Sequence, residues 1–429
     1  MITLPIGADP GIRPAATSFI SSISALIDGF DRGTETALTV IAPLHLSVSL
    51  EGAGWHPAAW REPRARPAEL FDARYWVDVI AEAERGLLDF VTIEDGFVLQ
   101  SCRADEVSGR LDAVLIAARA APLTRHIGLM PTVVVTHTEP FHVSKAIATL
   151  DYVSNGRAGV RVRVSASPGE AAHFGRRVFP PLSPADRDDP AAQQRVTGLL
   201  AEAADYVEVV RRLWDSWEDD AEIRDVATGR FVDRGKLHYI DFSADSFRVK
   251  GPSITPRPPQ GQPVVSALGH VAAAYRLIGT AADIGYVTPG DASHARQLVA
   301  EIRAAGRAHD PIHVFGDLVV FLGPSVTAAA ERKARLDELA GYVYTSDATV
   351  FTGTPAQLAG LLTEWQQAGL SGFRLRPGGI PGDLEAITRE LVPELQRRGA
   401  FRTSYEAGTL RGLLGLGRPA SRYAARAST

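Results

Sequence analysis

Two β-branched segments joined by a helical one, between Thr132 and Ser165, constrain the fold of this chain more than any other feature. The first run, Val133–Val135, ends in a cluster of polar residues. Pro140 then supplies a favourable first helical residue, because its missing N–H has no partner in the first turn. The helix stops at Asn155-Gly156, and a second β-branched run begins at Val160. Such strand–helix–strand units are typical of parallel α/β proteins, which bind ligands where strands lead into helices.

Strand and helix patterns alternate along most of the chain. A helix is predicted from about Pro67, where apolar residues repeat at helical spacing, and others are predicted over 111–121, 143–152 and 203–217. The predicted strands are Ala37–Leu46, Phe90–Ile93, Ile127–Val135, Val160–Val164, Val264–Leu268, Asp283–Val287, Ile312–Phe321 and Gly372–Leu375. Eight strands interleaved with helices suit a (β/α)₈ TIM barrel, and a doubly wound sheet is the alternative on pattern alone.

Composition excludes several classes of protein. The 429 residues are 45% hydrophobic and 22% charged, which supplies a packed core, and the mixed charges with a net of −5 argue against a nucleic-acid partner. The single cysteine, Cys102, excludes an internal disulfide and a cysteine-built metal site, and we expect no metal. No apolar run is long enough to span a membrane, and the first residues do not resemble a signal peptide. We therefore expect a cytoplasmic protein.

The strand around Val160–Val164 carries charges on one face. Because side chains alternate along a strand, Arg161 and Arg163 face one side and the valines the other. The valines suit the helix side, so the arginines are predicted to face the barrel interior, where an unpaired cation is costly. Arg374 and Arg376 repeat this arrangement in the last predicted strand, and the possible carboxylate partners are Glu94 and Glu139. Either an interior ion-pair network or a site for a carboxylate, a sulfonate or a phosphate would explain the arginines.

A further anion site is predicted at Gly269-His270. This dipeptide follows the strand Val264–Leu268 and opens the next predicted helix. Free backbone N–H groups at a helix start attract anions, and the His270 side chain would assist them.

Longer motifs extend the pattern over nearly the whole chain from about residue 38. They are GWHPAAWR (54–61), TVVVTHTEPFHVSK (132–145), LDYVSNGRAGVRVRVS (150–165), DYVEVVRRLWDSWEDDA (205–221), FRVKGPSITPRPPQGQPVV (247–265), GFRLRP (372–377) and RRGAFRTSYEAGTLRGLLGL (397–416). In this order they resemble the bacterial-luciferase-like flavin monooxygenases, in the branch of the nitrilotriacetate, EDTA and dibenzothiophene-sulfone monooxygenases.

The resemblance implies a luciferase-like (β/α)₈ barrel at residues 38–400, with insertions at about 166–193 and 222–262. An N-terminal extension (1–37) and a C-terminal tail (401–429) lying across the surface would flank it. It also implies FMN as cofactor, used as FMNH₂ from a separate flavin reductase, with O₂ as co-substrate and a small organic substrate. A homodimer is expected as well, through the aromatic helix that carries Tyr75 and Trp76.

The same resemblance assigns roles to single residues. Asp95 stands at the aspartate of the family pattern LFLADV, which lies beside the flavin; otherwise it caps the next turn. Thr132 matches a threonine that donates to the flavin, although a strand threonine that only packs is common. His56 would orient substrate or merely hydrogen-bond its loop. His142 would be a catalytic residue or would secure a neighbouring loop, as a histidine at a helix start more often does.

Other positions depart from the family pattern. Val196 and Leu200 replace the histidine and tyrosine that hold the flavin phosphate, and Val271 replaces a serine with the same role. Arg161 replaces an asparagine of the pattern GWNVVTS. The leading hypothesis is a two-component FMNH₂-dependent monooxygenase with weakly bound FMN. The alternative is a non-catalytic binding subunit or partner of an active paralogue, and an F420-dependent oxidoreductase is the weakest hypothesis.

Overall fold

The computed structural model describes residues 43–181, 189–306 and 312–423. Its strands are β1 (His45–Leu50), β2 (Phe90–Ile93), β3 (Gly128–Val134), β4 (Gly159–Arg163), β5 (Glu222–Asp225), β6 (Arg230–Val232), β7 (Phe242–Ser243), β8 (Arg248–Val249), β9 (Val264–Leu268), β10 (Ile284–Val287), β11 (His313–Leu322), β12 (Thr349–Gly353) and β13 (Gly372–Pro377). The N-terminal extension predicted for residues 1–37 lies outside the described residues.

Helices separate the strands of the main sheet. They are α1 (Ala73–Arg85), α2 (Ala113–Ala120), α3 (Pro140–Val153), α4 (Pro168–Ala172), α5 (Pro190–Asp215), α6 (Ala272–Ala281), α7 (Ala292–Ala305), α8 (Val326–Ala340), α9 (Pro355–Gln367), α10 (Gly382–Ala386), α11 (Val392–Arg397) and α12 (Leu410–Leu413). Many begin at a side-chain cap: Asp112 accepts from the backbone of α2, and Thr354 with Gln357 forms a capping box on α9. Within the described residues, no helix is long and apolar enough to cross a membrane.

Eight parallel strands close into a barrel, as predicted. The ring runs β1-β2-β3-β4-β9-β10-β11-β13 and returns to β1, and the ninth strand, β12, pairs with the carboxyl half of β11. The predicted first strand, Ala37–Leu46, overlaps β1 at His45 and Leu46, and its residues 37–42 lie outside the described residues. The insertion at 222–262 forms two short hairpins, β5-β6 and β7-β8.

The tail after residue 401 closes the amino end of the barrel, so the prediction that it lies across the surface was wrong. Leu410, Leu414 and Leu416 are buried in one cluster with residues of the barrel strands, among them Phe90 and Phe315. Small residues at the strand starts make room for the tail, because a Cβ atom at Gly128 would lie only 2.6 Å from the Leu410 side chain. These three leucines of the tail therefore belong to the core.

Tyr75 and Trp76 do not form a surface for a second subunit. Both are buried inside the chain, where the Tyr75 hydroxyl donates to the Gly52 carbonyl and the Trp76 ring N–H donates to the Leu70 carbonyl. The aromatic helix therefore gives no support to the expected homodimer, which stays a prediction.

Candidate active site

The carboxyl ends of the barrel strands carry most of the candidate residues. In this fold that end is where active sites are built, because the loops after each strand converge there. Glu94 and Asp95 follow β2, Arg163 ends β4, and Gly269-His270 follows β9.

Arg161 and Arg163 both reach carboxylates, as the alternation along β4 predicted. Arg161 is buried, and one of its terminal nitrogens donates to Glu94 at 2.8 Å and to the Thr132 hydroxyl at 3.1 Å. Arg163 donates to the carbonyl of Asp95 at 2.8 Å and lies 3.3 Å from the Glu170 carboxylate. Of the two acids suggested by the sequence, Glu94 is a partner and Glu139 is not. Glu139 pairs with Arg176 instead.

The last strand extends this pairing across the barrel. Arg374 donates to Asp317 at 2.7 Å and lies 3.4 Å from Glu94, so Glu94 contacts two arginines. Arg376 contacts both Asp317, at 2.5 Å, and Asp347, at 2.6 Å. We call Glu94, Arg161, Asp317, Asp347, Arg374, Arg376 and His270 the barrel network.

The charges of the barrel network hold one another ionised. Burial alone raises the pKa of Glu94, but Arg161 and Arg374 outweigh it and hold this pKa at about 2. Burial lowers the pKa of Arg161 to about 10, which still leaves it charged at neutral pH. Arg376 keeps the pKa of Asp347 far below its usual range against the effect of burial. Three guanidinium and three carboxylate groups therefore balance within the barrel.

Asp95 is used as a helix cap. Its two carboxylate oxygens accept from the backbone N–H of Gly96, at 2.7 Å, and of Ala113, at 3.0 Å, where α2 begins. Burial raises its pKa, although these two N–H donors oppose the rise. The capping interpretation thus describes the side chain as it stands, and contact with a flavin remains a prediction. A carboxylate has further lone pairs, so the cap does not prevent such contact.

His56 is held by hydrogen bonds to its own loop and to α8. The ring is buried, its Nε2 lies 3.0 Å from Asp337, and its Nδ1 accepts from the backbone N–H of Ala58. Both ring nitrogens are thus engaged, which favours the structural interpretation over substrate binding. His142 is exposed on the first turn of α3, and its catalytic role stays a prediction.

Gly269 and His270 lie just before α6, which begins at Ala272. No described side chain caps this helix. His270 is partly exposed, with one ring nitrogen 3.2 Å from the Thr288 hydroxyl and the other 3.2 Å from Asp347. The start of α6 is thereby joined to the barrel network. The three apolar replacements do not form a polar site, because Leu200 is buried in the core, Val196 packs against it, and Val271 is half-exposed.

Five buried side-chain atoms of the described residues lack a hydrogen-bond partner, and all lie on residues of the carboxyl end of the barrel. They are Arg110 Nε, His137 Nε2, Arg161 Nε, Glu170 Oε2 and Arg376 Nε. Buried polar atoms are nearly always paired, so unpaired ones mark places where a ligand or water completes the bonding. Two of the five belong to the barrel network.

Four residues of this candidate site were not predicted from the sequence. Asp317 had a readable signal, since it is the single acid in the apolar strand HVFGDLVVFL. Asp347 and Glu170 lie on loops or short helices, where no periodicity marks them. Arg110 lies in the loop before α2, and nothing in its sequence context distinguishes it.

Comparison with known proteins agrees with this architecture. Residues 53–365 match the family model described as luciferase-like monooxygenase. The N-acetyl-S-(2-succino)cysteine monooxygenase of Bacillus subtilis is 30% identical, with 89% of this chain and 98% of that protein covered. Nitrilotriacetate monooxygenase component A of Aminobacter aminovorans is 27% identical over 88% and 97%. The structure of an EDTA monooxygenase from Chelativorans covers 88% of this chain and 99% of its own, at 25% identity and a TM-score of 0.74. The chain therefore belongs to the luciferase-like monooxygenase family.

Proposed function

We propose that this protein is an FMNH₂-dependent monooxygenase that oxygenates a small organic substrate with O₂. The unpaired polar atoms at the carboxyl end of the barrel carry the proposal, because they mark a built but incomplete polar site where this family of oxidoreductases does its chemistry. The overall reaction inserts one oxygen atom of O₂ into the substrate and releases the other as water, with the two electrons supplied by reduced FMN.

The residues present fit a flavin. Arg161 Nε and Arg376 Nε are buried donors without an acceptor in the described part of the chain, and a flavin ring is rich in acceptor oxygens and nitrogens. The Thr132 hydroxyl accepts from Arg161 and keeps its own proton to donate. These groups, with Asp95, would hold the ring and ribityl end. The uncapped start of α6, with His270, would take the phosphate.

The chain's own residues would do three things. The ion pairs of the barrel network fix Arg161 and Arg376, so their unpaired N–H groups keep one direction before any ligand arrives. Arg161 Nε and Arg376 Nε would donate to acceptor atoms of the cofactor ring. The closed barrel and its buried charges exclude bulk water from the reacting atoms.

A separate flavin reductase would supply FMNH₂. The matched relative from Aminobacter aminovorans is itself named component A, which supports a divided system. In the cell we expect a cytoplasmic location, where reduced flavin is produced.

The test of cofactor binding is a titration with photoreduced FMN in the absence of oxygen, followed by tryptophan fluorescence. We expect FMNH₂ to bind at least tenfold more tightly than oxidised FMN. No binding of either form would overturn the proposal.

The second candidate is a non-catalytic subunit that partners an active paralogue. Val196, Leu200 and Val271 favour it, because none of them can hydrogen-bond a phosphate. Binding of FMNH₂ without any oxygen-dependent reaction would support this candidate.

A further inference from the structure

Three of the five unpaired atoms belong to residues outside the barrel network. They are Arg110 Nε, His137 Nε2 and Glu170 Oε2. A Cβ atom at Gly96 would lie 2.5 Å from Arg163 Nη1, 3.1 Å from Glu170 Oε1 and 3.6 Å from Arg110 Nη1. Three charged side chains thus converge where this glycine leaves space. We call Arg110, Arg163, Glu170 and His137 the Gly96 cluster.

Two members of the Gly96 cluster present a buried donor atom and a buried acceptor atom that have no partners among the described residues. Arg110 is half-buried and donates to Glu51 at 3.2 Å, but its buried Nε has no acceptor among them. Glu170 accepts from Arg163 and from the backbone N–H of Phe97 through Oε1, whereas its Oε2 has no donor at hydrogen-bonding distance among the described residues. Although burial raises the pKa of Glu170, Arg163 and the nearby Ser165 hydroxyl lower it below its usual range. The unpaired oxygen is therefore ionised and can only accept.

Aromatic side chains enclose this site. His137 is buried and stacks on Phe174 with ring centres 5.1 Å apart, and Phe97 contacts Phe174 at 4.8 Å. Phe179 is tilted against His137, with ring centres 6.2 Å apart. Burial lowers the pKa of His137, so its unpaired Nε2 belongs to a neutral ring at pH 7. These aromatic rings suit a ligand that carries an apolar group next to its polar group.

Each arginine of the site has a carboxylate partner. Arg110 is paired with Glu51 and Arg163 with Glu170, so a charged ligand would leave an uncompensated charge in a largely buried place. A neutral group with one acceptor and one donor matches the two unpaired atoms without that cost. A secondary amide has this pattern, because its carbonyl accepts and its N–H donates from opposite edges of one plane.

We propose that the Gly96 cluster is a substrate-recognition site for a secondary amide that carries an apolar group. The Arg110 N–H donates to the amide carbonyl, the amide N–H donates to Glu170, and the apolar group lies against Phe97 and Phe174. The site follows directly on Asp95, so the amide is held beside the expected position of the flavin. This inference rests on the proposed function for its role in catalysis, but the binding itself does not require flavin.

The test uses three probes on the full chain without flavin: N-benzylacetamide, N-benzyl-N-methylacetamide and benzyl acetate. Ligand-observed NMR titrations give the dissociation constants. We expect N-benzylacetamide to bind about tenfold more tightly than the two analogues, because these leave Glu170 without a donor, and one such hydrogen bond to a charge corresponds to about that factor. Equal binding of all three probes, or no binding of N-benzylacetamide, would overturn the amide assignment.

Two variants locate the binding. Gly96→Ala places a methyl group among the charged side chains, and Glu170→Gln removes the ionised acceptor; each should weaken N-benzylacetamide binding at least tenfold. The matched control is Gly198→Ala on α5, where an added Cβ atom meets no neighbour within 4 Å. Circular dichroism and thermal unfolding confirm that each variant folds. Unchanged binding in folded Gly96→Ala would contradict the site. If the wild-type protein binds no flavin, the proposed function is contradicted. The amide-binding result does not depend on that outcome.

Discussion

One terminal nitrogen of Arg161 donates to both carboxylate oxygens of Glu94, at 2.8 and 3.1 Å, across the strand that separates them in the barrel. Where this chain has Glu94 and Arg161, the family patterns quoted above have alanine and asparagine. Arg161 thus depends on Glu94 as its carboxylate partner, whereas Glu94 also contacts Arg374.

This relationship predicts strong coupling between the two positions. Glu94→Ala leaves Arg161 buried without its carboxylate and should lower the free energy of unfolding by about 3–5 kcal/mol. The double variant Glu94→Ala/Arg161→Asn should recover about 1–3 kcal/mol of that loss. Urea unfolding of the wild type, the two single variants and the double variant measures the coupling. Strictly additive losses would show that the pair does not act as a unit.

Lowering the pH should reduce the free energy of unfolding, because Glu94 becomes protonated. Its pKa is about 2 in the folded protein and near 4.5 in the unfolded chain, so the folded state holds the charged form. The stability from this group is therefore fully present above pH 4.5 and disappears as the pH falls towards 2. The Glu94→Gln variant should show a shallower loss of unfolding free energy over that interval than the wild type. Parallel pH profiles of the two proteins would contradict this.

Much of this arrangement was predictable, and the reasons for the rest are physical. The alternation of Arg161 and Val162 fixed which side chains face inward, because a strand that is buried on both faces leaves no other place for the charges. Glu94 was predicted as a partner, but Asp317 and Asp347 were not, since they lie 57 and 29 residues before the arginines they contact and only the fold brings them together. The role of Leu410 was missed because an apolar tail residue has the same appearance in sequence whether it covers a surface or fills a barrel end.

The tail should contribute to stability as a core element does. Leu410→Ala removes a fully buried side chain at the amino end of the barrel and should cost about 2–5 kcal/mol. Leu115→Ala, at an exposed position on α2, is the matched control and should change stability by less than about 0.5 kcal/mol. Denaturant unfolding of both variants provides the measurement. If the Leu410→Ala variant is as stable as the control variant, the tail lies on the surface and Leu410 is not part of the core.

Oxidised FMN should bind weakly, and the protein should purify colourless. Each missing phosphate ligand would have contributed roughly 1.5–3 kcal/mol, so the loss of two weakens binding by about a hundredfold or more. His270→Ala should weaken it by about a further tenfold, whereas His126→Ala, near the amino end of the barrel, should have no effect. Equilibrium dialysis measures the FMN affinity of the wild type and of the two variants. A yellow protein with tightly bound FMN would show that the phosphate is held elsewhere.

The most direct test of the proposed function is stopped-flow mixing of the protein–FMNH₂ complex with oxygenated buffer, followed by absorbance between 350 and 450 nm on the order of milliseconds to seconds. We predict an oxygen-dependent transient that free FMNH₂ does not give, and a shorter-lived transient in Arg161→Asn, which lacks the buried guanidinium N–H that we propose as a donor to the cofactor. The absence of any transient at every flavin concentration would contradict the monooxygenase assignment and leave the non-catalytic subunit as the better account.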